Sequence, residues 1–144
     1  MANVHDVAAY ILQRQGQMTA MKLQKLVYYS QAWHLVWEDR PLFDEKIEAW
    51  ANGPVSPALY SLHRGRFAIQ GGDLGPVPEG ALDQAETTTI NSVLDFYGQQ
   101  SAMYLSDLTH REAPWAEARA DLPPGRRSSA EITPAAMAEY YGSL

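Results

Sequence analysis

Thr19-Ala20-Met21-Lys22-Leu23-Gln24-Lys25-Leu26-Val27-Tyr28-Tyr29-Ser30-Gln31-Ala32-Trp33-His34-Leu35-Val36-Trp37 is the longest helical pattern in the chain, and the rest is organised around it. Leu23, Leu26, Val27, Ser30, Trp33 and Trp37 recur at helical spacing and form one face. Tyr28, Ala32, Leu35 and Val36 add a second apolar flank. Thr19 offers a hydroxyl to the free N–H groups of the first turn. A helix apolar over so much of its circumference is expected to be central, with neighbours on more than one side. Lys22, Lys25 and Tyr29 share the face expected to reach solvent.

The chain on either side fits around that helix. Asn3 and Asp6 mark a helix start, Val4, Val7, Ala8 and Ile11 form its stripe, and Gly16 tolerates a left-handed stop. Beyond Trp37, Pro41, Gly53, Pro54 and Pro57 forbid a continuous helix. Lys46-Ile47-Glu48-Ala49-Trp50 alternates polar and apolar, predicting a short extended or irregular segment near 46–55 with no obvious pairing partner. Ser56-Pro57 opens a short helix running to Arg64. Residues 71–80, rich in Gly and Pro, predict a mobile surface loop. Ile90, Val93, Leu94 and Tyr97 form another helical stripe ended by Gly98, and Ser101 caps the helix of Ala102, Leu105 and Leu108. Pro114 opens a short turn with Trp115 and Ala118, and Thr133-Pro134 starts a closing helix with Met137, Tyr140 and Tyr141. The predicted fold is a single all-α domain over residues 1–144, with six to seven helices around a central helix at about 19–37.

Composition narrows the function. The chain has 144 residues, 46% hydrophobic and 19% charged, with formal charge −6 and no cysteine. Such a chain buries a core without staples. The missing cysteines exclude disulfides, thiolate zinc sites, iron–sulfur clusters and a Cys nucleophile. Net negative charge makes a poor general binder of phosphate backbones, so no nucleic-acid partner is expected. The N-terminus has no basic region or long apolar run, and no segment reaches 18 apolar residues. A cytoplasmic protein without a membrane partner is expected.

No constellation points to catalysis. His5, His34, His63 and His110 share no helical metal-ligand spacing, so no metal residue is predicted. Ser30 and His34 stand at i and i+4, a conceivable nucleophile pair, but a helix interior has no free N–H groups to hold an oxyanion. Asp44, Glu45 and Glu48 read as a solvated acidic run. The glycines at 71, 72 and 75 lack the Gly-Lys-Ser/Thr of a phosphate loop, so no cofactor is predicted. Arg64-Gly65-Arg66 and Arg126-Arg127 are the only basic concentrations. Four tryptophans and eight tyrosines exceed ordinary core needs and suit a partner-binding surface.

Three ordered segments carry a resemblance. They are Met21 to His34 within the stretch above; Pro41-Leu42-Phe43-Asp44-Glu45-Lys46-Ile47-Glu48-Ala49-Trp50 followed by Gly53-Pro54-Val55 and Tyr60; and Leu105-Ser106-Asp107-Leu108-Thr109-His110-Arg111-Glu112-Ala113-Pro114-Trp115. Their order and spacing resemble the Panacea domain of SocA-like and GepA-like prophage-associated proteins. That resemblance implies a non-enzymatic antitoxin that binds a co-encoded protein toxin and neutralises it. In the SocA-like branch the domain also delivers the toxin to the ClpXP protease, and residues 71–80 or 122–130 would then be segments for ClpX to hold. Lys22, Lys25, Tyr29, Asn52, His110 and Arg111 become the candidate partner-binding residues. Asn52 stands where the family commonly has an aromatic. A second reading of His110-Arg111-Glu112 is a cap and internal salt-bridge network before Pro114. A monomer is expected, or a toxin–antitoxin hetero-oligomer.

Overall fold

The computed structural model describes residues 1–144. In chain order the elements are α1 (Val4–Gln15), β1 (Met18–Thr19), α2 (Ala20–Glu38), β2 (Ile47–Trp50), β3 (Gly53–Val55), α3 (Pro57–His63), β4 (Ala68–Ile69), a 3-10 turn at Gly71–Asp73, α4 (Gln84–Tyr97), α5 (Ala102–His110), α6 (Ala113–Ala118), β5 (Glu131–Ile132) and α7 (Pro134–Gly142). The architecture is mostly α, as the hydrophobic spacing predicts.

The helix starts lie where the capping residues place them. Asn3, Thr19, Ser56, Ser101 and Thr133 each accept a backbone N–H from the first turn of the following helix. Each such cap contributes about 1 kcal/mol. Gly16 ends α1 at φ 81° with its N–H on the Leu12 carbonyl. A capping box of Asp83 with Glu86 opens α4.

Helix α2 is the centre, packed by α1, α4, α5 and α7. Leu23, Leu26, Val27, Tyr28 and Ala32 are buried on it with Ile11, Ile90, Leu105 and Tyr141 from its neighbours. Gln24, Lys25, Ser30, Gln31 and His34 are buried on it too, and each of its two glutamines has a specific task. Gln31 donates to the Phe43 carbonyl and accepts from the N–H groups of Leu42 and Phe43. Gln24, two turns earlier, accepts from Ser56 N–H and donates to Ser56 O. The irregular crossover between α2 and α3 is therefore pinned to α2 at both ends, where its unpaired backbone would otherwise be costly to bury.

Three expectations change. The segment near 46–55 is a hairpin. β2 pairs antiparallel with β3 on one side (Ala49 opposite Pro54) and with β5 on the other (Ile47 opposite Ile132). The second partner, β5, lies far along the chain and leaves no local signal beside β2. Second, Glu48 is buried, not solvated. Its carboxylate takes the Trp50 indole N–H at 2.8 Å and the Lys46 ammonium at 3.0 Å. Third, the loop after β4 is tied at its start. Asp73 accepts Gln70 N–H and pairs with Arg66 at 2.9 Å, and the Leu74 carbonyl bonds His5 Nε2. No helix is long and apolar enough to cross a membrane.

Candidate partner-binding groove

A groove of about 1110 Å³ opens where the start of α2, the β2–β3 hairpin, α3 with the loop after it, and residues 127–129 converge. Lys25 lines it and is only 1% exposed. The β2–β3 turn explains how a lysine is buried there. Gly53 adopts φ 121°, and a Cβ at that position would stand 2.5 Å from Lys25 Cε. The missing side chain leaves room for the lysine stem. Burial lowers the Lys25 amine from its ordinary 10.5 to about 7, and no hydrogen bond or carboxylate in the chain offsets that burial.

Around the amine the walls are satisfied. Gln24 Nε2 meets His63 Nε2 at 2.9 Å. Glu48 is the only carboxylate lining the groove, and it is engaged by Trp50 and Lys46. The Tyr60 ring packs edge-on against Trp50 at 5.0 Å. At the rim Phe67 is 83% exposed, and Arg64 and Arg127 carry no ion pair, while Arg66 holds Asp73. The groove thus combines aromatic anchors with a cationic border, the residue types that dominate protein–protein hot spots.

The candidate residues divide. Lys25 and Asn52 meet in the groove, with Asn52 exposed at the hairpin tip and its carbonyl held by Ser106. His110 lies behind, stacked on Trp115 at 4.0 Å, and its Nε2 has no partner. Burial lowers its pKa, and the Lys25 charge lowers it further. Lys22 reaches the Gly98 carbonyl at 2.7 Å and neutralises the end of α4. Arg111 is exposed at the end of α5.

The solvent-facing expectation for Lys25 and Tyr29 is corrected, because the hairpin, α5 and α7 cover that face of α2. Tyr29 is 0% exposed and donates to Glu112 at 2.7 Å. Tyr141 donates to the same carboxylate oxygen at 2.7 Å, and Tyr28 meets Tyr141 at 2.9 Å. Tyr29 also stacks on Tyr97, whose hydroxyl takes the Trp33 indole N–H. Burial raises the Glu112 carboxyl, opposed by the tyrosine hydroxyls. The His110-Arg111-Glu112 run is thus no salt-bridge network. Its glutamate is the centre of a buried tyrosine cluster joining α2 and α7.

The Ser30–His34 pair is not assembled. Ser30 donates to the Leu26 carbonyl in its own helix, and His34 Nδ1 bonds Thr89 Oγ1. The four histidines occupy four separate surroundings, at Leu74, Thr89, Gln24 and Trp115. Trp50, Tyr60, His63 and Phe67 also line the groove, and no local sequence pattern assigns them to one site. The two basic pairs and the surplus of aromatics are the signals in the sequence, but only the fold brings 64–66 and 127 to one rim.

No curated protein and no solved structure matches the chain. A family model described as "Antitoxin SocA-like, Panacea domain" matches residues 23–116. That span runs from α2 into α6. It includes the glutamine-pinned crossover, the Gly53 turn and most of the groove. With more than half of its length under that match, the chain belongs to the SocA-like antitoxin family of Panacea domains.

Proposed function

We propose that this protein neutralises a co-encoded protein toxin by binding it directly and covering its working surface. The observation that carries this reading is the open groove with Trp50 and Tyr60 on its walls and Phe67 at its rim, inside the region shared with the antitoxin family. Tight neutralisation at nanomolar Kd corresponds to about −12 kcal/mol. It calls for about 800 Å² of this protein's surface and a few anchoring side chains. The groove and its rim supply anchors of that kind.

Delivery of the toxin to ClpXP is the competing mechanism. It needs a segment free for an unfoldase to hold. Side chains hold parts of both candidates: the 71–80 segment at its start, through Asp73 and the Leu74 carbonyl on His5, and the 122–130 loop by Arg119, which donates to the carbonyls of Pro123 and Arg126. Those ties favour occlusion.

Co-expression with the adjacent reading frame tests the proposal. The expected result is a frame lethal alone and harmless beside this protein, with the toxin's half-life unchanged by loss of ClpX. A frame that stays lethal overturns neutralisation, and a half-life shortened only when ClpX is present replaces occlusion with delivery.

A further inference from the structure

We propose that the groove receives an acidic segment of the toxin, with one carboxylate of that segment seated on the Lys25 amine and its neighbours held by Arg64 and Arg127. The proposal rests on the toxin-binding reading and adds to it the surface and the chemistry of the partner.

Four observations carry it. Lys25 is almost wholly buried, lines the groove and has no internal hydrogen-bond or ion-pair partner. An ammonium held there lacks the counter-charge that normally offsets burial, and a carboxylate entering from the groove supplies it. The border has the same sign. Arg64, Arg66 and Arg127 line the groove on a chain of net charge −6, and its one lining acid is engaged internally. The arginines at 64 and 127 hold their planar donors free for carboxylates. Finally, the size and the aromatic walls suit a peptide segment more than a lone small anion. About 1110 Å³ exceeds the usual range for small-molecule pockets. Trp50, Tyr60 and Phe67 give that segment's apolar side chains somewhere to pack.

Lysine footprinting of the purified chain tests the site without knowledge of the toxin. The protein is labelled with an amine-reactive reagent alone, then with hexaglutamate, hexalysine, inorganic phosphate or oligothymidylate. Modification at Lys25 is read by peptide mass spectrometry. Hexaglutamate is expected to slow labelling of Lys25 by about fivefold or more, and hexalysine to leave it unchanged. Lys25→Met keeps the aliphatic stem and removes the amine. It is expected to melt no lower than the parent and to abolish the binding of fluorescent hexaglutamate. Arg64→Glu with Arg127→Glu, both exposed, is expected to weaken that binding at least tenfold.

The proposal is overturned by Lys25 labelling that no probe alters. It is equally overturned by protection from phosphate alone, which marks a small-anion site, or from oligothymidylate in place of hexaglutamate, which marks a nucleic-acid site. In the co-expression assay the same variants are expected to lose neutralisation while Phe96→Ala, at an exposed position on α4, retains it. Variants that neutralise fully sink the groove but leave the antitoxin reading standing. A parent chain that fails to neutralise sinks the antitoxin reading, and the footprint still decides the groove.

Discussion

Glu112 and Lys25 are the two charged side chains whose burial shapes the molecule's response to pH, and they act in opposite directions. The Glu112 carboxyl is raised above 4.5 by burial in the tyrosine cluster. The folded state therefore holds that proton more tightly than the unfolded chain does, and the contribution is lost as pH rises from about 4.5 through the folded value. Glu112→Gln is expected to flatten this decline in melting temperature across mildly acidic pH. Glu112→Ala leaves the hydroxyls of Tyr29 and Tyr141 without their acceptor and is expected to cost about 2–4 kcal/mol in urea unfolding. Lys25 is lowered to about 7, so between pH 7 and 10 the unfolded chain binds more protons and stability rises with pH. His63 from α3 and His110 from α5 face it, and Glu48 from β2 shares the groove; burial holds both histidines below their ordinary 6.5 and the Trp50 and Lys46 bonds hold Glu48 below its ordinary value, so none has its midpoint in that window. Lys25→Met is expected to remove the alkaline rise, as thermal melts across that range will register. Neither burial was legible in the sequence. Lys25 and Tyr29 lie on one helix face with Lys22, and only the elements laid over that face decide which of them meet water.

At the scale of elements, the β2–β3 hairpin controls the site. Its turn needs Gly53 twice over, for φ 121° and for the space given to Lys25 Cε. Gly53→Ala is expected to cost about 2 kcal/mol or more and to push the lysine stem outward. Urea denaturation measures the first effect, and faster amine labelling at Lys25 reports the second. Helix boundaries were readable because they are local. Thr19, Ser56, Ser101 and Thr133 each act on an N–H within their own first turn. The hairpin was half readable. The alternation of Ile47, Ala49 and their neighbours marked an extended segment. Its pairing with Ile132 depends on a contact across most of the chain, for which no local pattern exists.

For the whole molecule, the region beyond the family match is integral to the fold. β5 pairs with the edge of β2, and Met137 and Tyr141 of α7 are buried in the core. Removing residues 131–144 strips the hairpin of its second neighbour and Glu112 of one tyrosine donor. The truncated chain is expected to lose its cooperative thermal transition by circular dichroism, although the family-matched span 23–116 remains whole. The helical class, the central place of α2, the helix starts and the family are all written along one continuous chain, because they follow from spacing, caps and ordered motifs. Packing is what puts Lys25 beneath a groove, gathers tyrosines from two helices on Glu112, and sets Arg64 and Arg127 along one rim. Each of those facts is a meeting of distant residues, and such meetings are set by how elements pack over one another.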